Sequence, residues 1–218
     1  ARVPGLVVLD GPGVDPMRFV VRSLYLLVLG YVTAVWGGHE VRSRARLALL
    51  REVTALSNPR FGVERTVGRL LEALRVFYDA DSCRLVVAEE EGRRWMRTTS
   101  RGSPAGEKVE LPREVAETLL SGPPAAAVLL HARRLRDGRA LRVSYLIPGA
   151  PGPSPGDPAT GAALADTLEA GAPVSTPFRY HASAAGRLLL VRGRPRPFEP
   201  HEVEFLGQVI EQVAPVLD

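Results

Sequence analysis

Val63-Glu64-Arg65-Thr66-Val67-Gly68-Arg69-Leu70-Leu71-Glu72-Ala73-Leu74-Arg75-Val76-Phe77-Tyr78-Asp79-Ala80-Asp81-Ser82-Cys83-Arg84-Leu85-Val86-Val87-Ala88 changes its hydrophobic period halfway along. Val63, Val67, Leu70, Leu74 and Phe77 recur at spacings of four, three, four and three, the signature of one face of an amphipathic helix. Asp79-Ala80-Asp81 ends that pattern, and Cys83 to Ala88 follows as a β-rich run. Glu89 to Arg93 supplies a turn and Arg94 to Ser100 a second strand, so the helix leads into a hairpin.

Towards the C-terminus the pattern stays mixed. A loop rich in Gly, Pro and Ser is expected after the hairpin, with Gly102 to Lys108 inside it. Pro112 to Leu120 reads as a short helix with proline at its start. Ala126 to His131 and Ala140 to Leu146 read as strands. In the second, Leu141, Val143 and Tyr145 alternate with Arg142 and Ser144, which implies one buried face. Pro148 to Pro158 reads as a long flexible loop, and Ala159 to Glu169 as a helix. Val174, Thr176, Phe178 and Tyr180 share one strand face. Gly186 to Val191 is read as apolar on both faces, hence central. Val203, Leu206, Ile210, Val213 and Leu217 mark a last helix opened by Pro200; Phe205, Val209 and Val216 form a second stripe, free to meet another copy.

Towards the N-terminus, Ala1 to Pro16 reads as a loop; its apolar run Leu6 to Leu9 is too short to cross a bilayer. Phe19 to Trp36 has about the minimum length for a transmembrane helix. Arg22 can snorkel from near its start, and Tyr25, Tyr31 and Trp36 suit a membrane interface. Arg42, Arg44, Arg46 and Arg51 follow, which by the positive-inside rule places the C-terminal side in the cytoplasm; Arg2, Arg18 and Arg22 oppose that orientation. A buried helix of a soluble protein is the alternative. A cleaved signal peptide fits less well, because the basic flank lies on the wrong side. His39 to Ser57 continues as a polar helix whose Leu49, Val53 and Leu56 have heptad spacing, so two copies are expected to pair there before Ser57-Asn58-Pro59 stops it. The expected organisation is an N-terminal loop (1–18), a transmembrane helix (19–38), a juxtamembrane signalling helix (39–57) and a soluble α+β domain (58–218).

Composition narrows the function. Lys and Arg total 28 against 24 Asp and Glu, a net charge of +4, yet Lys108 is the lone lysine. A pI near 9.7 reached through scattered arginines, with few aromatics beside them, does not mark a nucleic-acid binder. With Cys83 as the lone cysteine, an intrachain disulfide and a cysteine zinc site are both excluded. His39, His131, His181 and His201 are far apart, with no pair at i, i+4, so no metal or cofactor is expected. Gly102 to Lys108 lacks Walker spacing. His39-Glu40-Val41-Arg42 continues Ser43-Arg44 and has no glycine-rich ATP site after it. It reads as a juxtamembrane residue rather than a phosphoacceptor, and His201-Glu202 as a first-turn surface pair. No catalytic cluster is visible, so this segment is not read as an enzyme.

The order of elements resembles a GAF domain from about Leu47 to Asp218. The resemblance is carried by Phe61-Gly62-Val63-Glu64-Arg65-Thr66 leading to Tyr78-Asp79-Ala80-Asp81-Ser82-Cys83. It ends on Gly186-Arg187-Leu188-Leu189-Leu190 and Pro197-Phe198-Glu199-Pro200. It implies a central antiparallel sheet flanked by helices, here preceded by a transmembrane and a linker helix. The front half resembles the sensory portion of bacterial membrane-bound sensor histidine kinases. That implies a segment in the cytoplasmic (inner) membrane with its domain in the cytoplasm. It would pair through its linker and terminal helices and relay a signal to a kinase beyond this sequence. A nucleotide cyclase or phosphatase output, or a stand-alone tethered module, are the alternatives. GAF domains bind small molecules between the sheet and the helix-loop side. The resemblance therefore implies a ligand surface from Tyr145, Thr176, Phe178 and Tyr180, together with Pro148 to Leu168. The cyclic-nucleotide motif Asn-Lys-x-x-Phe-x-x-x-Asp-Glu is absent, and nothing around Cys83 matches a bilin-attachment motif.

Overall fold

A computed structural model describes residues 16–56, 63–89, 91–135, 138–168, 172–180, 184–193 and 197–217. Contacts divide the chain into two units that part between Leu47 and Ala48. The first helix, α1 (Pro16–Leu56), is 41 residues long, so the expected transmembrane and signalling segments form one helix. Gly37 and Gly38 weaken it locally, but no proline removes a backbone donor there. Its window Phe19–Trp36 has a mean hydropathy of 1.7, and none of it is buried within the chain; length and composition suit a bilayer crossing. Of the expected N-terminal loop (1–18), residues 1–15 lie outside the described residues and 16–18 already belong to α1; the Ser57-Asn58-Pro59 stop also lies outside them.

In the second unit, α2 (Val63–Phe77) buries Val67, Leu70, Leu71 and Leu74. It ends where Asp79 takes a left-handed φ of 46°. The Ala80 N–H then reaches the Arg75 carbonyl and the Asp79 N–H the Val76 carbonyl, a Schellman closure. The chain enters β1 (Ser82–Ala88), β2 (Arg94–Ser100) and β3 (Ser103–Glu110). After α3 (Arg113–Leu119) come β4 (Ala127–Leu135), β5 (Gly138–Leu146) and the two-residue β6 (Ser154–Pro155). Then α4 (Pro158–Leu168), β7 (Ala172–Tyr180), β8 (Ala184–Arg192) and α5 (Pro200–Leu217) complete the chain.

The eight strands form one sheet in the order β3-β2-β1-β8-β7-β4-β5-β6, every neighbouring pair antiparallel. β8 is central as expected, with Leu188 opposite Leu85 on one side and Thr176 on the other. Two segments read as loops are edge strands instead. Residues 103–110 pair with β2, and Ser154–Pro155 pairs with β5. Their Pro and Gly content hid them, and edge positions are where a sheet tolerates proline.

Strand alternation builds two cores. On one face Leu49 and Val53 of α1, the buried stripe of α2 and Val203 to Val213 of α5 cover Cys83, Leu85, Val87, Val174, Phe178, Leu188 and Leu190. On the other face Leu119 of α3 and Leu164, Ala165 and Leu168 of α4 cover Val86, Val128, Leu130, Val143, Leu189 and Val191. Leu49 and Val53, read as a seam for a second copy, are each 3% exposed in their own domain core. Likewise Phe205 and Val209, the stripe of α5 thought free, are buried beside Leu206 and Ile210. Residues of both α5 stripes pack into the α2/α5 core. The side chains of Leu56, Val216 and Leu217 lie outside the described residues.

Candidate functional site

Residue parity decides which candidate residues share a face. Tyr145 of β5 pairs with Val128 and lies half-buried against the α3/α4 core. Thr176 and Phe178 of β7 lie on the opposite face, 4% and 2% exposed. Phe178 belongs to the larger core, and Thr176 Oγ1 is buried with no hydrogen-bond partner among the described residues. The Tyr180 backbone pairs with Ala184, and its side chain lies outside the described residues. Tyr145 on the one hand, and Thr176 with Phe178 on the other, therefore do not line one surface.

Tyr145 instead helps to seat α4. Its hydroxyl accepts the Asp157 N–H at 3.1 Å. The Asp157 carboxylate caps the helix, accepting the N–H groups of Ala159 (3.1 Å) and Thr160 (3.0 Å) and the Thr160 hydroxyl (2.7 Å). Those bonds from Thr160 and Ala159 hold its pKa below the usual carboxylate value. Gly161 lets α4 close on the sheet, because a Cβ there would overlap Val143 Cγ2.

At the centre of the same face sits a group that the sequence reading passed over. Arg187 of β8, 3% exposed, lies between Val86 of β1 and Pro177 of β7. Nη1 donates to the carbonyl (3.4 Å) and hydroxyl (3.2 Å) of Ser175, itself fully buried. Nη2 donates to the carbonyls of Pro123 (2.5 Å) and Ala126 (3.5 Å) in the turn between α3 and β4. Among the described residues no carboxylate bonds it. Burial pushes its pKa down, opposed only by the nearby Tyr145 phenol. Gly122, at φ +118°, brings the turn against the guanidinium: a Cβ there would stand 3.0 Å from Nη2. Next to it, Ser121 Oγ is buried without a hydrogen-bond partner among the described residues. The signal in the sequence was a single charge inside Gly186 to Val191, otherwise apolar.

The opposite face carries a second buried arginine with a different solution. Arg192 donates through Nε (2.9 Å) and Nη2 (2.6 Å) to the Tyr78 carbonyl, and through Nη2 to Glu202 Oε1 at 3.0 Å. It stacks on the Phe198 ring at 3.8 Å. Glu202 Oε2 accepts the Glu199 N–H (2.8 Å), and the Tyr78 hydroxyl donates to the Glu202 carbonyl (3.0 Å). Burial alone would raise the Glu202 pKa, but Arg192, the Glu199 N–H and His201 together hold it below the usual value. Glu202 thus joins the ends of α2 and β8 to the start of α5 and is no simple surface residue.

Cys83 lies on this α2/α5 face, fully buried. Desolvation, reinforced by Glu72 and opposed by Arg75, raises its thiol pKa far above the ordinary value. Such a thiol is a poor nucleophile. Among the described residues no three His, Cys, Asp or Glu side chains group in a way that could hold a metal ion.

No protein-family model matches the sequence, and no curated protein matches it. Solved structures do. The phycoerythrobilin-bound GAF domain from a cyanobacterial phytochrome aligns with a TM-score of 0.58 and 14% identity. It covers 79% of this chain and 94% of that one. The phycocyanobilin-bound GAF domain from a cyanobacterial phytochrome gives 0.57 at 14% identity, covering 79% and 93%. The GAF domain of a phosphoenolpyruvate-protein phosphotransferase from Coxiella burnetii gives 0.51 at 17% identity, covering 80% and 93%. At these identities the likeness speaks for architecture, and the element order and single antiparallel sheet agree with it: the chain has the GAF fold.

Proposed function

We propose that this chain is a membrane-anchored GAF sensory and dimerisation segment of a signal-transduction protein, which relays a signal to a histidine kinase output beyond this sequence. One observation carries the reading: a single helix, α1, holds both the wholly exposed apolar window Phe19–Trp36 and the domain-core residues Leu49 and Val53. The α3/α4 face of the sheet is the ligand side, because its apolar core is interrupted by Arg187, a buried guanidinium that meets no carboxylate among the described residues. Pairing between copies runs along the linker part of α1 that follows the apolar window. This segment acts by binding and relay, with no catalytic step of its own.

Expression in a bacterium followed by alkaline carbonate extraction tests the anchor. The full chain is expected to stay in the membrane pellet, and a variant lacking residues 19–36 to become extractable. Release of the full chain by carbonate would refute the anchor. The parent reading frame tests the output: a helix with a phosphoacceptor histidine followed by a glycine-rich ATP domain is expected. A cyclase or phosphatase domain there, or a stop codon, would overturn the kinase.

A further inference from the structure

We infer that the α3/α4 face holds an anion-binding site centred on Arg187, which takes the carboxylate or phosphate group of a small-molecule ligand. The inference rests on the reading of that face as the sensory side and specifies its ligand chemistry. A guanidinium removed from water is normally matched by an acid, as Arg192 is by Glu202. Arg187 is more buried than most arginines, remains charged at any accessible pH, and among the described residues meets only carbonyls and a hydroxyl. Two of its acceptors, the carbonyls of Pro123 and Ala126, belong to one short turn. An anion is a stronger acceptor for a guanidinium than a neutral carbonyl and can engage two N–H groups at once. It would therefore displace that turn.

The surroundings provide for the exchange. Ser175 Oγ lies 3.2 Å from Nη1 and is a hydroxyl that can donate to an oxyanion. Ser121 Oγ, buried and without a partner among the described residues, is a second hydroxyl in the segment that would move. Gly122 gives the turn a backbone conformation that other residues rarely adopt, and its missing side chain lets the turn pack directly on Nη2, so that the turn itself covers the guanidinium. Binding would be reported by release of the α3–β4 turn, a change in the chain itself that a relay can use.

The test uses the full chain in detergent micelles, with sodium phosphate, acetate and chloride titrated at matched ionic strength. Phosphate or acetate is expected to raise the Tm saturably over chloride. In the same samples amide exchange at Ser121, Gly122, Ala125 and Ala126 is expected to quicken, opposite in sign to the global stabilisation. Whichever of phosphate and acetate acts more strongly identifies the group recognised. Ser121→Ala is expected to weaken the response roughly fivefold, the loss of one hydrogen bond. Arg187→Gln, where it folds, is expected to abolish the response. Equal Tm in all three salts, slower exchange in the turn, or a Ser121→Ala variant that responds like the parent would overturn the site. Carbonate extraction needs no anion, so the anchor and this site can fail separately.

Discussion

Arg187 and Arg192 stand five residues apart on the same central strand, and because side chains alternate they enter opposite faces of the sheet. Both are buried, at 3% and 7% exposure. Arg192 enters the α2/α5 core, where Glu202, the Tyr78 carbonyl and the Phe198 ring answer its charge, its hydrogen bonds and its flat surface. Arg187 enters the α3/α4 core and, among the described residues, finds hydrogen bonds but no charge. The first arrangement is complete and ties three elements together. The second is satisfied only while a short turn stays in place. One face is tied by an ion pair, and on the other the buried charge is met, among the described residues, by neutral acceptors.

The largest test of this contrast is removal of bulk from the α2/α5 face. Phe178→Ala is expected to lower the unfolding free energy by about 3–5 kcal/mol in urea titration, because Phe178 fills the α2/α5 core. A loss below about 1 kcal/mol would mean that this face is loosely packed. Next come the arginines. Arg192→Met strands a mostly buried carboxylate and is expected to cost about 3 kcal/mol. Among the described residues Arg187→Met leaves carbonyls and a hydroxyl unpaired, and it is expected to cost about 1–2 kcal/mol. Reversal of that order would break the comparison. Gly122→Ala is expected to cost about 1–2 kcal/mol through its positive φ and its approach to Val128 and Arg187, again by urea titration.

The acid limb separates the two faces further. The Glu202 pKa is lower in the folded chain than in the unfolded one. Its contribution is therefore present above the unfolded value of about 4.3 and is lost as pH falls through the lower folded value. Glu202→Gln is expected to flatten stability against pH below about pH 4. Arg187→Met is expected to leave that limb unchanged. The smallest effect is expected at Leu26→Ala. Leu26 is 60% exposed on α1, outside the domain, and domain stability should change by no more than about 0.5 kcal/mol.

Much of the fold was legible because its signals are local. The period of Val67, Leu70 and Leu74, the β-rich run from Cys83, and the alternation about Val143 and Tyr145 each need only a few residues. The edge strands β3 and β6 were not legible, because Pro104, Gly106 and Pro155 read as loop residues and only a partner strand makes them otherwise. Buried stripes were legible as apolar but not as to what covers them. Leu49 with Val53, and Phe205 with Val209, carry the pattern of a helix pair yet close their own domain. The candidate site failed for a related reason. Tyr145 and Thr176 lie on strands separated in the sheet by β4, and the face each presents follows from register across three strands. Arg187 was visible as a lone charge in an apolar strand, but which groups meet it among the described residues is a property of the folded neighbourhood.

Amide hydrogen exchange across the full chain, in detergent and without added anions, tests the asymmetry of the two faces most directly. Ligand-binding elements are drawn from the low-stability end of a fold. The helices α3 and α4 and the turn 121–126 are expected to open at least roughly tenfold more readily than α2, β8 and α5. Equal protection on both faces, or earlier opening of α2 and α5, would contradict the division into a structural base and a responsive face.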